Sequence, residues 1–297
     1  MRIIILGCGY LGYNLHRLLS EHADCELWGI ESPYSALAKD MVYVNAFDEA
    51  AMAEHDFRDA AVIDAIGLIA NNAMADDEAQ ALEQIRKPYR RLLQTLKDGG
   101  AGLFVFFSSG GTIYGNTNQP IREEDPIAPQ SLYARSKAAI EDLIRNSALP
   151  YLILRLSNPY GGYQIAEKKQ GVIPILIRKA LLGEPFELFA RKDSIRDYFY
   201  ITDLAAAVSG LLEHQINNET VNIGSGKGTS LQTIIDMVEE ETGKQIPIIT
   251  KETAVPMVQS IVLNIDRLKQ YTGFEPSVSL REGIALETAR IKKEMKL

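Results

Sequence analysis

Arg2-Ile3-Ile4-Ile5-Leu6-Gly7-Cys8-Gly9-Tyr10-Leu11-Gly12-Tyr13-Asn14-Leu15 stands at the start of the chain and predicts a strand, a turn and a helix in that order. The apolar run Ile3 to Leu6 predicts a short strand buried on both faces, because isoleucine suits a pleated backbone that meets no water on either side. The glycines that follow predict a tight turn into a helix from Tyr10 to His22. In that setting Gly7 makes the turn, Gly9 lets the backbone approach a pyrophosphate, and Gly12 lets helix and strand pack closely. The helix N-terminus then faces the anion. Gly7, Gly9, Tyr10, Leu11 and Gly12 are therefore candidate cofactor-binding residues.

Outward from this unit, short Ile- and Val-rich runs alternate with segments of helical period. Strands are predicted at Glu26 to Ile30, Val42 to Val44, Ala61 to Ile66, Leu103 to Phe107 and Tyr151 to Leu156. Helices are predicted from about Asp76 to Lys97, interrupted near Pro88, and from Ser131 to Ser147. The alternation predicts an α/β fold, a Rossmann-type doubly wound parallel sheet over residues 1–158. After about Pro159 the rhythm loosens, which predicts a smaller C-terminal α/β substrate lobe over 159–297, with some segments returning to the sheet. Ser230 to Gly243 has a hydroxyl start, apolar residues at helical spacing and a glycine stop, so it predicts a surface helix. Glu31, at the end of the second strand, is placed to accept hydrogen bonds from ribose hydroxyls, which favours NAD over NADP. Asn45, past the third strand, is a candidate for the adenine edge, and Ala65, Ile66 and Ser108 complete the cofactor set.

The chain has 297 residues, 46% of them apolar and 24% charged, the balance of an ordinary soluble globular protein. Its formal charge of −8 argues against nucleic acid or an anionic membrane as a partner. The apolar start is too short for a signal sequence, and no segment approaches the roughly 20 apolar residues of a membrane span. Cys8 and Cys25 have neither disulfide-framework nor metal-type spacing, so free thiols in a reducing cytoplasm and no metal site are expected.

The fifth strand runs into Ser108-Ser109-Gly110-Gly111-Thr112-Ile113-Tyr114-Gly115, and the following helix presents Tyr133 and Lys137 one turn apart on one face. A phenol with a pKa near 10 is a poor base at neutral pH, but an adjacent ammonium favours the phenolate. Lys137 is thus expected to lower the pKa of Tyr133 and to hold a ribose. Hydroxyls from the strand end would orient an alcohol or carbonyl substrate beside them.

With these elements in this order, the chain resembles the extended short-chain dehydrogenase/reductase family, in its NAD-dependent nucleotide-sugar epimerase and dehydratase branch. Further stretches carry the likeness: Arg155-Leu156-Ser157-Asn158-Pro159-Tyr160-Gly161, Arg196-Asp197-Tyr198 with Asp203-Leu204, Asn222-Ile223-Gly224-Ser225-Gly226, and Phe274-Glu275-Pro276 before Leu280-Arg281-Glu282-Gly283. The resemblance implies that Asn158 and Arg196 contact the diphosphate or nucleotide of a nucleotide-diphosphate sugar. It also implies a homodimer built on the Ser131 to Ser147 helix and the long helix before it.

Four departures from the family pattern matter. The family's catalytic hydroxyl lies four residues before the tyrosine of its Tyr-Gly pair, a position that falls on Gly110, so Thr112 or Ser109 must replace it, Thr112 being preferred. The dehydratase branch has an acid pair after that hydroxyl, where this chain has Gly111-Thr112, which disfavours dehydration. Leu6 stands where the family more often has the first glycine, and Pro256-Met257-Val258-Gln259 replaces an expected Arg-x-x-Asp phosphate contact. The leading expectation is a nucleotide-sugar 4-epimerase acting through a 4-keto sugar. The alternatives are an NADH-dependent 4-keto-6-deoxysugar reductase and an NAD-binding sensor or scaffold without turnover.

Overall fold

The computed structural model describes residues 1–67, 75–115, 120–165, 171–189, 191–251 and 259–297. Of the stretch Pro256 to Gln259, only Gln259 is therefore among the described residues. The strands are β1 (Ile3–Leu6), β2 (Cys25–Gly29), β3 (Val42–Tyr43), β4 (Ala61–Asp64), β5 (Leu103–Ser109), β6 (Tyr151–Leu156), β7 (Asn158–Tyr160), β8 (Phe186–Leu188), β9 (Ile195–Tyr200), β10 (Glu219–Ile223), β11 (Gly228–Ser230), β12 (Ile248–Thr250) and β13 (Ser260–Ile261). Seven of them form one sheet in the order β10-β6-β5-β4-β1-β2-β3, with every pair parallel. The strand order reverses between β1 and β4, the place where such sheets open a crevice at their carboxyl ends.

Both faces of the sheet are covered, which is why its central strands β1, β4, β5 and β6 are largely apolar runs rather than alternating ones. One face packs Ile3, Ile5, Ile63, Val105 and Leu154 against α1 (Tyr10–Leu19) and α7 (Ile201–Glu213). The other packs Ile4, Leu6, Val62, Phe104 and Ile153 against α2 (Glu49–Ala53), α3 (Glu78–Asp98) and α5 (Leu132–Arg145). The short α4 (Gly110–Ile113) leaves β5 directly. Beyond β6, β9 is flanked by β7, β11 and β13, and β8 pairs with β12. α6 (Val172–Leu182), α8 (Leu231–Thr242), α9 (Asp266–Thr272) and α10 (Leu280–Met295) complete the described helices.

Several expected boundaries move. The first helix ends at Leu19 rather than His22, β2 stops at Gly29 with Ile30 62% exposed, and β4 stops at Asp64 two residues early. The expected interruption at Pro88 does not occur: α3 runs 21 residues through it. A proline inside a helix costs roughly 3 kcal/mol, but Ile85, Tyr89, Leu92, Leu93 and Leu96 all bury against the sheet on both sides of it and hold the helix together. The predicted surface helix forms with Ser230 capping the Thr233 N–H and Gly243 in the left-handed conformation as its stop.

Candidate active site

The turn after β1 is built as its glycines require. Gly7 has φ of 104°, and a Cβ there would lie 3.0 Å from the Ala65 carbonyl and the Ile66 Cα. A Cβ on Gly12 would collide with the Gly7 carbonyl oxygen, whereas one on Gly9 would meet nothing within 4 Å. Gly9 thus faces open space at the N-terminus of α1, where no side chain caps the helix and the first N–H groups have no intrahelical acceptor. That is a cradle suited to a pyrophosphate. The exposed Glu31 sits just past β2, in a loop that Ser32 ties to the turn by donating to the Cys8 carbonyl at 2.6 Å. The Asn45 side chain instead accepts from the Phe47 N–H at 3.0 Å, closing its own turn. Tyr10 contributes to the cradle only as backbone, because its hydroxyl donates to the Gly161 carbonyl at 2.9 Å.

Across the switch point, β5 carries Ser108 and Ser109 to the sheet edge, and α5, capped by Ser131, brings Tyr133 and Lys137 over them. The Ser109 hydroxyl lies beside the Tyr133 side chain and favours its phenolate, and Thr112 donates to Ser109 Oγ at 2.9 Å. Of the two candidate hydroxyls, Ser109 is thus the one that acts on the Tyr133 phenol, with Thr112 donating to it from the next turn. A side chain at Gly110 would be crowded, since a Cβ would sit 2.5 Å from Leu263 Cδ1, which would have to shift, and 3.1 Å from the Arg155 carbonyl oxygen. Gly111 is open toward Asn158.

Burial pushes the Tyr133 phenol above its ordinary value, and the Ser109 hydrogen bond pulls it back only in part. The expected net lowering by Lys137 is not realised. Its Nζ lies 5.9 Å from the Tyr133 ring centroid, donates to the Phe107 carbonyl at 2.8 Å and stands over the Phe106 ring at 4.5 Å. Burial lowers the pKa of Lys137, with the Asp64 and Glu141 carboxylates opposing that.

Asn158 and Arg196 lie on the paired strands β7 and β9. Asn158 starts β7 and donates to the Asp197 carbonyl at 2.9 Å; Arg196 precedes that residue in β9 and donates to the carbonyls of Ile195 and Gln259. Burial lowers the Arg196 pKa, while the neighbouring Tyr198 favours its charge.

The two acids of the same motif are buried hubs that sequence reading did not single out. Asp197 accepts from the Ser225 N–H and hydroxyl and from the Gly226 N–H, which anchors the Gly224-Ser225-Gly226 turn. Asp203 accepts from the Ser277 N–H and hydroxyl and so docks the approach to α10. Under the cleft, Arg155 donates to both Glu141 oxygens and to the Tyr114 hydroxyl, and Tyr114 donates to Asn222. Arg155 and Tyr114 were quoted above only as parts of motifs; their burial, invisible in spacing, makes them a brace that connects the end of α4 with α5, β6 and β10.

Comparison with known proteins gives the same picture. The family model described as "NAD dependent epimerase/dehydratase family" matches residues 3–224. The chain is similar to the dTDP-4-dehydro-6-deoxyglucose reductase of Escherichia coli, 35% identical over 195 residues, covering 64% of this chain and 62% of the relative. It is similar to a dTDP-glucose 4,6-dehydratase of Xanthomonas campestris pv. campestris, 30% identical over 223 residues, 69% of this chain and 61% of that one. The match thus spans less than two thirds of the length of these curated relatives. Among solved structures, the UDP-glucose 4-epimerase of Thermotoga maritima with UDP-glucose superimposes with a TM-score of 0.83 at 25% identity, covering 99% of this chain and 100% of that one.

Proposed function

The chain belongs to the NAD dependent epimerase/dehydratase family, and from that premise we propose that it is a nucleotide-sugar 4-epimerase that oxidises its substrate transiently to a 4-keto sugar. The cradle at Gly7, Gly9 and Gly12 with the N-terminus of α1 would hold the NAD pyrophosphate, Glu31 the ribose, and Lys137 the nicotinamide ribose. Bound NAD supplies a hydride acceptor that gives the hydride back to either face of the sugar. Tyr133 would take the proton of the sugar 4-hydroxyl and return it when the ketone is reduced; burial alone disfavours the phenolate this needs, and the positive charge of bound NAD beside it would favour it. Ser109, oriented by Thr112, supports the phenolate and directs the hydroxyl. Asn158 and Arg196 would grip the diphosphate, the guanidinium by a forked contact.

The observation that carries this reading is the Thr112, Ser109 and Tyr133 chain of hydroxyls beside the glycine cradle. At positions 111 and 112 the chain has glycine and threonine, without the carboxyls that a dehydration would need. Incubating the purified protein with UDP-, GDP- and dTDP-sugars without added cofactor tests it: an epimer from one of them supports the reading, and none from any refutes it. Tyr133→Phe should lose 10²-fold or more of that activity, on the order of a general acid/base contribution, while still binding NAD. Retention of activity would remove Tyr133 from its role. Persistent NAD binding by a wild-type protein inert toward every sugar would instead favour a sensor or scaffold.

A second reading is favoured by the 35% identity to the Escherichia coli reductase. As a 4-ketoreductase the protein would consume NADH in step with a nucleotide 4-keto-6-deoxysugar, and steady loss of NADH absorbance would distinguish it.

We further propose a cytoplasmic protein, in keeping with the free thiols Cys8 and Cys25, and a homodimer through α3 and α5. Among the described residues no helix is long and apolar enough to cross a membrane. The exposed residues Glu83, Lys87, Arg90 and Arg91 along α3 are charged, so such a contact would be made largely by ion pairs. Sedimentation at micromolar concentration in low and high salt checks it, dissociation by salt being expected and a monomer throughout overturning it.

A further inference from the structure

Asp64, the last residue of β4, is 2% exposed at the end of the apolar run Ala61-Val62-Ile63. Its register neighbours are Leu6, directly before the glycine turn, and Phe106 in β5. One carboxylate oxygen accepts from the Ile66 N–H at 2.8 Å and the other from the Tyr89 hydroxyl of α3 at 2.6 Å. Tyr89 is itself buried, edge-on to Phe106 at 6.1 Å and to Phe47 at 5.3 Å. A buried carboxylate is costly unless it serves a charge or is fully hydrogen-bonded, and the donors on Asp64 are neutral.

The charge that acts on Asp64 is Lys137, whose Nζ stands 4.5 Å from the ring centroid of Phe106, the register neighbour of Asp64 in β5. The titratable groups around Lys137 are Asp64 from β4, Glu141 and Tyr133 from α5 and, behind Asp64, Tyr89 from α3. Glu141 is paired with Arg155 and Arg145, so its charge is largely compensated. Burial works against the Asp64 charge, which Lys137 and the Tyr89 and Ile66 hydrogen bonds favour, and no guanidinium pairs with it among these contacts. Lys137 gives one N–H to the Phe107 carbonyl; an ammonium has three, and burial works against its keeping all of them.

We propose that Asp64 is a positioning residue of the proton-transfer centre, whose carboxylate holds Lys137 as an ammonium and fixes the Ala65 and Ile66 backbone on which the Gly7 turn closes. This rests on the reading of Lys137 as part of that centre. Loss of the carboxylate would leave a buried amine that gives up its proton at lower pH, with fewer N–H groups for the ribose and less support for the phenolate.

The test follows the Lys137 Nζ by ¹⁵N NMR in lysine-labelled protein without substrate, its resonance identified by its disappearance in Lys137→Arg. In Asp64→Asn the Lys137 midpoint should fall by about one pH unit or more, a tenfold change in the proton equilibrium, and Asp64→Glu should restore it at least in part. A midpoint within about 0.3 units of wild type in Asp64→Asn, well below the shift a nearby charge produces, overturns the proposal. Should Asp64→Asn not fold, the coupling is read in wild type: the Lys137 signal should show a second inflection at the pH where the Asp64 carboxyl ¹³C signal titrates. Its absence is equally fatal. These readouts need no turnover, so their failure counts against Asp64 alone, whereas failure of every sugar assay counts against the epimerase reading. If that activity is found, the alkaline limb of its pH profile should move down in Asp64→Asn.

Discussion

Ser109 and Thr112 illustrate what a single residue's position decides. Both hydroxyls follow the fifth strand, and the sequence reading prefers Thr112; in the structure Ser109 is the one that acts on the Tyr133 phenol, with Thr112 donating to it from the next turn. Ser109→Ala is therefore expected to lower kcat/KM about 10²-fold and Thr112→Ala about tenfold or less, since its effect passes through Ser109. Steady-state kinetics on the identified substrate reads the order, and a larger loss in Thr112→Ala would reverse the assignment. Because the Ser109 bond favours the phenolate, Ser109→Ala should also raise the Tyr133 titration midpoint in an ultraviolet phenolate titration. Tyr133 and Lys137 were legible from sequence because one helical turn puts them on one face. The hydroxyl was not, because position 110 is crowded by Leu263 and the Arg155 carbonyl, both far away in the chain.

Among the elements, α3 and α5 carry the most testable energetics. Pro88 lies within α3, where it removes a helical N–H and crowds the preceding turn. Pro88→Ala should stabilise the protein by about 1–3 kcal/mol, read as a higher midpoint in urea; an unchanged midpoint would mean that the helix already relieves the proline locally. In α5, Glu141 is buried, yet the hydrogen bonds and charge of Arg155 outweigh burial and hold its carboxyl below the usual carboxylate range. Its contribution is therefore fully present above the unfolded carboxylate value of about 4.3 and is lost as pH falls through the lower folded value. Glu141→Gln should cost about 3–5 kcal/mol at neutral pH by leaving Arg155 buried without its counter-charge. The difference from wild type should shrink in acid, as measured by urea unfolding at the two pH values. A difference that stays constant with pH would remove the linkage.

At the scale of the molecule, the chain returns to its first sheet after a long excursion: β10 pairs with β6 in parallel from Glu219 opposite Leu152 to Ile223 opposite Leu156. A fragment of residues 1–158 would expose that edge of β6 together with the sheet face that α7 covers. It is expected to aggregate on expression, an exposed apolar edge being a template for other chains. A soluble fragment with cooperative unfolding would show instead that the first 158 residues are an independent domain. The sequence by itself determined the glycine turn, the alternation of strands and helices, and the Tyr133 and Lys137 pair, because each is a local pattern: a positive φ, a hydrophobic period, one helical turn. Tertiary structure alone decided that β10 closes the sheet, that Asp197 and Asp203 anchor distant turns, that Ser109 lies beside Tyr133, and that Asp64 is buried beside Phe106, over which Lys137 stands. Those are contacts between residues far apart in the chain, whose distances and burial follow from packing and are written in no local stretch.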